Sequence, residues 1–212
     1  MMNRLTEQFL NAPGGIFTIA DVASVIQGSD FSRHGLIKRA IADGEILSIR
    51  RGLYCIAPRY RKELLSTYAL AQRIYGPSYV SLESALAYHG WIPEAVHSCT
   101  QVSPRRSREF DTPMGIFSYS HVPQASLMSG VERMMDESGN AFFVAEPAKA
   151  IADYVYVRNP GWENFYDASK SLRIEMDDVM GVSISALSKL VPNYGSRRIK
   201  QFLSEWLRAL KS

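Results

Sequence analysis

The sequence is poor in cysteine and lacks any long apolar run. Cys55 and Cys99 are the only cysteines among 212 residues, and they lie far apart with no metal-ligand spacing. Two free thiols fit a reducing compartment better than a secreted disulfide scaffold, so we expect a cytoplasmic protein. No stretch approaches the roughly 20 apolar residues of a membrane span, and the first residues lack the pattern of a signal peptide. We therefore expect no membrane partner.

Signatures of catalysis and of cofactor binding are also missing. The sequence has no Gly-rich phosphate loop, no Gly-x-Ser-x-Gly nucleophile motif and no His-Glu-x-x-His zinc motif. Its four histidines, His34, His89, His97 and His121, are not clustered along the chain. We predict that the protein is not an enzyme, that it needs no cofactor and that it holds no metal.

One catalytic alternative stays open. Glu83, Asp111, Glu146 and Lys149 could hold Mg²⁺ and activate water in a metal-dependent nuclease. However, Glu146 precedes Pro147 at the start of a predicted helix, where the free N–H groups favour a carboxylate without any metal. Lys149 lies three residues further on, within reach of Glu146 as an ion-pair partner.

Charge is unevenly distributed along the chain. Residues 1–62 carry nine Lys/Arg against five Asp/Glu, a net charge of +4, whereas residues 63–185 carry nine against fifteen, a net charge of −6. Residues 186–212 carry six against one, a net charge of +5. Basic segments attract phosphate, and an acidic middle suits a basic protein partner.

Length and composition fit two small globular domains. The chain is 46% hydrophobic and 21% charged, which is ordinary for a protein with a packed core. Pro58 and the basic run at 59–62 mark the exit from the first domain. We predict an α+β protein with one domain at residues 1–60 and a mixed second domain at 63–212.

The first domain has the pattern of a winged helix-turn-helix. A short amphipathic helix is predicted at 3–11, and Thr18 and Asp21 have capping-box spacing before a helix at 19–26. A third helix is predicted from about Ser32 to Asp43, with Gly44 as its stop. Two β-prone runs then meet at Arg51-Gly52, which predicts a hairpin. This order is typical of the winged helix, whose second paired helix enters the major groove.

The third helix divides into an apolar and a basic face. Leu36, Ile37, Ala40 and Ile41 share one face at helical spacing, and small residues lie beside cations on the other. Small residues let a helix backbone approach a groove while cations reach phosphates or base edges. We expect Tyr54 to pack in the core. The predicted DNA-binding residues are Arg33, His34, Lys38, Arg39, Arg50 and Arg51.

The remaining chain alternates helical and β patterns. Ser81 is expected to cap a helix through His89, and Pro147 is expected at the first position of a helix through Tyr156. A basic loop, Arg105-Arg106-Ser107-Arg108, separates two predicted strands. The other predicted elements are a helix at 63–75, strands at 99–102, 115–122 and 141–145, and helices at 162–173, 183–191 and 195–210.

Four segments resemble the AbiEi antitoxin family in the order in which that family has them. They are GEILSIRRGLYCIAP, SYVSLESALAYHGWIPE, GIFSYSHV and FFVAEPAKAIADYVY, the last containing Ala145, Glu146, Lys149, Ala150 and Asp153. The resemblance spans about residues 15–160, and residues 160–212 match nothing in it.

This resemblance implies a cytoplasmic antitoxin and transcriptional autorepressor of a toxin–antitoxin, phage-defence operon. It implies that the winged helix binds operator DNA with inverted repeats, so a dimer or paired binding is expected. It also implies a partner toxin of nucleotidyltransferase type, neutralised with the help of the C-terminal part. The alternatives are a protein-interaction module that neutralises a toxin without DNA binding, and the metal-dependent nuclease.

Overall fold

The computed structural model describes residues 2–61, 64–93 and 97–211. They form an α+β protein with two β-sheets, one of three strands and one of six. The α+β class predicted from the sequence is therefore confirmed. Within these ranges, no helix is both long and apolar enough to cross a membrane.

Three helices and three strands make up the N-terminal unit. In chain order they are α1 (Arg4–Phe9), β1 (Ile16–Thr18), α2 (Ile19–Val25), α3 (Asp30–Ala42), β2 (Ile46–Arg50) and β3 (Leu53–Ile56). All three predicted helices are present. Helix α3 begins two residues earlier than expected, because the Ser29 side chain caps it by accepting a hydrogen bond from the Ser32 N–H.

Local hydrogen bonds fix where α2 begins. The Thr18 hydroxyl accepts from the Asp21 N–H at 3.2 Å, and the Asp21 carboxylate accepts from the Thr18 N–H at 2.7 Å. This is the capping box that the spacing predicts. The Thr18 hydroxyl also donates to the Asp21 carboxylate at 2.8 Å. The hydrogen bonds that the Thr18 N–H and hydroxyl donate to this carboxylate lower the pKa of Asp21, because they favour its charged form. Phe17 and Val22, on either side of the cap, are buried.

The three-stranded sheet is antiparallel in the order β1–β3–β2. The predicted hairpin at Arg51-Gly52 is confirmed, and Gly52 has a φ of +79°, in the region that favours glycine. One face packs on α1–α3 through residues that include Phe17 and Tyr54. The opposite face, with Leu53 and Cys55, packs on the second unit. The sheet is therefore buried on both sides.

The six-stranded sheet has the order β6–β7–β5–β4–β9–β8. Its strands are β4 (Tyr79–Val80), β5 (Ser98–Ser103), β6 (Arg108–Thr112), β7 (Gly115–His121), β8 (Val131–Met135) and β9 (Ala141–Ala145). The pairs β5–β7 and β4–β9 are parallel and the others are antiparallel. Strands β6 and β8 are the two edges.

Helices α4 (Thr67–Ile74), α5 (Leu82–Tyr88) and α6 (Pro147–Arg158) pack on this sheet. The predicted start of α4 at Glu63 lies outside the described residues; residues 64–66 are not helical, and the Ser66 side chain caps α4. Pro147 opens α6 as predicted, because its missing N–H would have had no partner in the first turn. In the described part of the chain after α6, four further helices follow: α7 (Phe165–Leu172), α8 (Met176–Met180), α9 (Ile184–Leu190) and α10 (Arg197–Ala209).

Helix α10 closes the core of the second unit. Its buried stripe, Ile199, Phe202, Leu203 and Trp206, has the spacing of one helical face. The indole N–H of Trp206 donates to the Val179 carbonyl at 3.1 Å and so ties α10 to α8. The described residues from 160 to 211, which have no counterpart in the AbiEi resemblance, therefore contribute to this core.

Candidate nucleic-acid interface

Helix α3 has an exposed face that is basic and lined by small residues. At about 100° per residue, Phe31, Gly35, Lys38 and Ala42 follow one another along its centre, and His34, Lys38 and Arg39 are exposed. Ile37 and Ala40 are buried on the other side. Ile41 was expected on the apolar face but is 38% exposed, because it lies at the edge of the buried stripe.

Arg33 lies on the inner side of α3 and already has partners. Its Nε donates to the Ile26 carbonyl at 2.9 Å, and its Nη1 lies 2.8 Å from the Asp30 carboxylate. The guanidinium thus provides a hydrogen-bond donor to the carbonyl at the end of α2 and joins α2 to α3. Among the six predicted DNA-binding residues, Arg33 is the one that this geometry assigns to the fold of the helix pair.

The tip of the β2–β3 hairpin carries two exposed arginines. Arg50 ends β2, Arg51 begins the turn, and both side chains are exposed. Among the described residues, Arg50 donates only to the Arg51 carbonyl, at 3.3 Å, and no ion pair neutralises either guanidinium. Tyr54, in contrast, is 8% exposed and packs against Phe17, as predicted.

A second exposed basic segment lies at the start of β6. We call residues 104–108 the arginine loop, after its exposed Arg105, Arg106 and Arg108. Tyr75, at the end of α4, holds this loop in place. Its hydroxyl donates to the Arg106 carbonyl at 3.2 Å, and the guanidinium carbons of Arg105 and Arg108 lie 5.6 and 5.8 Å from its ring centroid.

The hairpin and the strand that follows the arginine loop meet where the two units pack together. Strands β2 and β6 are in contact, and Arg108 is the register partner of Tyr119 on β7. Burial and the neighbouring Cys99 raise the pKa of Tyr119, whereas the nearby Arg50 guanidinium opposes this rise. The contact between β2 and β6 therefore brings the hairpin next to the strand that follows the arginine loop.

The residues of the nuclease alternative are not brought together. Glu83 pairs with Arg158 at 2.9 Å. Asp111 is on β6, four strand positions from β9 and Glu146, or about 19 Å at the usual strand spacing. Within the described ranges, no group of three His, Cys, Asp or Glu side chains is arranged to hold a metal ion.

Lys149 also differs from its predicted role, because it pairs with Asp153 and not with Glu146. Both side chains are fully buried, and Lys149 Nζ lies 3.3 Å from Asp153 Oδ1. The hydroxyls of Tyr79, Ser81 and Tyr194 donate to the same carboxylate at 2.7–2.8 Å. Ser81, the expected helix cap, thus uses its hydroxyl here and makes no capping hydrogen bond.

The ionisable groups of this buried cluster have shifted pKa values. Burial lowers the pKa of Lys149, and the Asp153 carboxylate only partly opposes that effect. Burial and the adjacent Asp153 raise the pKa of Tyr79 and Tyr194 well above 10. The cluster is closed to solvent and so does not meet a substrate. Its hydrogen bonds join α6 to the strands and to the C-terminal segment.

Glu146 lines a different feature, an open cavity of about 280 Å³ beside His89. Partial burial raises the pKa of Glu146, and the neighbouring Glu132 adds to this effect. His89 Nε2 lies 2.9 Å from the Ala145 carbonyl and so joins the end of α5 to β9.

Two parts of the exposed surface were not predicted from the sequence. Phe31 was not assigned to either face of α3, although its spacing from Lys38, two turns away, could have placed it. The arginine loop was noticed as basic, but its position beside the hairpin depends on contacts between distant segments. Compared with known proteins, the chain matches no family model and no curated sequence. Its likeness to AbiEi antitoxins stays a prediction from the four segments.

Proposed function

We propose that residues 1–60 form a winged helix-turn-helix and that the protein is a DNA-binding transcriptional autorepressor. The strongest support is that one unit carries two exposed basic features. They are the face of α3 with Lys38 and Arg39, and the arginine tip of the β2–β3 hairpin. Exposed cations without acidic partners suit a polyanion, and a helix that presents them beside small residues fits the major groove.

Each element has its own part in the proposed complex. Gly35 and Ala42 let the α3 backbone approach the groove, while Lys38 and Arg39 reach base edges or phosphates. Arg50 and Arg51 contact the backbone or the minor groove beside the helix. Arg33 orients α3 from within. Since the operator is expected to contain inverted repeats, two copies bind it as a pair.

The arginine loop extends this surface beyond the hairpin. Arg105, Arg106 and Arg108 add three exposed cations, and Tyr75 reduces the entropy lost when they bind. Their side chains contact flanking phosphates, which position the protein without reading sequence.

The proposal includes the antitoxin role that the AbiEi resemblance implies. Residues 63–185 carry a net charge of −6 and residues 1–62 a net charge of +4. Outside the arginine loop this segment is acidic and suits a basic protein, so the second unit is the one that meets a nucleotidyltransferase-like toxin. The protein then acts in the cytoplasm, without a cofactor and without catalysis.

The test is binding of the full-length chain to its own promoter over a range of salt concentrations. Five phosphate contacts, from Arg50, Arg51 and the arginine loop, predict a slope of log affinity against log salt of about −4 to −5. The double variant Arg105→Ala/Arg106→Ala should make that slope shallower by about 2. Arg133→Ala is the matched control, because Arg133 is an exposed arginine on β8, at the opposite edge of the sheet. No binding at low salt would contradict the proposal.

A second comparison separates the helix from the hairpin. Lys38→Ala and Arg39→Ala should weaken promoter binding more than random-DNA binding, by about 1–3 kcal/mol where a base contact is lost. Arg50→Ala and Arg51→Ala should weaken both alike. Equal losses on both DNAs for all four variants would exclude direct readout by α3.

A further inference from the structure

Among the described residues of the N-terminal unit, Phe31 has the most exposed large apolar side chain, at 90%. It belongs to neither of the two core clusters to which this unit contributes. It lies in the first turn of α3, at the centre of the face that also carries Gly35 and Lys38. The core therefore does not explain a phenylalanine at this position, whereas a ligand of this helix face would.

We propose that Phe31 reads the 5-methyl group of a thymine in the major groove. This inference rests on the DNA-binding function proposed above. Thymine alone places a methyl group on the floor of the major groove, and an apolar side chain can distinguish it there. In a helix-turn-helix it is the first turn of the second helix that contacts base edges.

The surroundings of Phe31 suit that contact. Gly28, Ser29 and Ser32 are small, so they leave the ring free to reach beyond the helix. Asp30 is the one acidic neighbour, and its carboxylate is paired with Arg33 at 2.8 Å, so its charge is partly neutralised. The ring can thus enter a groove lined by phosphates without bringing an unpaired negative charge with it.

The spacing to Lys38 predicts where the thymine lies. Seven residues of helix span about 10 Å, which corresponds to about three base pairs along a strand. The base that Phe31 reads and the base or phosphate that Lys38 contacts should therefore lie about three base pairs apart. Lys38 contributes a positive charge, and Phe31 distinguishes thymine from the other bases.

The experiment uses a duplex that the full-length chain selects from a random-sequence library. Each thymine of that duplex is replaced in turn by deoxyuridine, which differs from it only by the missing methyl group. At one thymine per half-site, the substitution should lower the affinity of the wild-type chain about fourfold, the effect of one buried methyl group. Phe31→Ala should bind the thymine duplex at least about fourfold more weakly and should not distinguish it from the deoxyuridine duplex.

Met135→Ala is the control, because Met135 is an exposed apolar side chain, 57% exposed, on the distant edge strand β8. This variant should keep the full difference between thymine and deoxyuridine. Equal affinity of the wild-type chain for both bases at every position, or an unchanged difference in Phe31→Ala, would overturn the assignment of Phe31 alone. Failure of the wild-type chain to enrich any sequence would overturn the DNA-binding function as well.

Discussion

Removing either partner of the buried Lys149–Asp153 pair should destabilise the protein, but by different amounts. The pair is fully buried. Besides Asp153, Lys149 donates to the Gln124 side-chain oxygen and to the Tyr194 hydroxyl, whereas Asp153 has one partner more. Asp153 accepts from three hydroxyls, those of Tyr79, Ser81 and Tyr194, in addition to Lys149. The two substitutions therefore leave different groups behind.

Asp153→Asn leaves an ammonium group buried without a counter-ion, which typically costs about 3–5 kcal/mol of unfolding free energy. Lys149→Met leaves a carboxylate that still accepts three O–H hydrogen bonds, so we expect a loss of about 1–3 kcal/mol. Because the two residues are in direct contact, the double variant should lose less than the sum of the single losses.

Chemical denaturation of the three variants, followed by circular dichroism, measures these differences. The order should be Asp153→Asn, then Lys149→Met, then wild type, from least to most stable. Equal losses, or a larger loss for Lys149→Met, would show that the hydroxyl donors do not hold the carboxylate as argued. The energetic account of the cluster would then be wrong.

Three other outcomes test separate parts of the molecule. Tyr79 and Tyr194 have a raised pKa in the folded state. The stability that they contribute is therefore complete below pH 10 and falls as the pH rises towards their folded-state pKa. Their phenolate absorbance should appear only when the protein unfolds. Purified protein should not cleave DNA or RNA with Mg²⁺ or Mn²⁺, and cleavage that a folded Glu146→Ala variant loses would favour the nuclease. Arg51→Ala should lose repression of a promoter reporter yet protect cells from the neighbouring toxin, and loss of both would mean that one surface serves both roles.

Local signals predicted the N-terminal elements well. The capping box at Thr18 and Asp21, the stop at Gly44 and the turn at Gly52 each depend on a few neighbouring residues, and each appears where the sequence placed it. Such signals need no knowledge of distant contacts. They also placed the exposed cations of α3, but they missed Phe31 and the contact of Arg33 with the Ile26 carbonyl, which lies across the turn between two helices.

Edge strands and buried polar contacts could not be predicted in the same way. Strands β6 and β8 are half-exposed and carry charges such as Arg108, Glu132 and Arg133, so they lack the apolar alternation of a strand. The predicted basic loop was therefore extended over Arg108, the first residue of β6. The partner of Lys149 was misassigned because Glu146, three residues before it, and Asp153, four residues after it, are both within reach on a helix, and only the buried hydroxyls around Asp153 decide between them.

The shared core between the two units limits how their roles can be separated. Ile16, Ile49 and Leu53 lie on the face of the three-stranded sheet that packs on α4 and the second sheet. Exposing these three side chains would cost about 5–9 kcal/mol at the usual 1.5–3 kcal/mol each, which is comparable with the total stability of a small domain. A chain cut near residue 62 would therefore lose DNA binding through unfolding, whether or not the second unit contacts DNA. Arg51 is exposed, so replacing it does not expose the core. Substitutions of such side chains can therefore distinguish repression from toxin neutralisation.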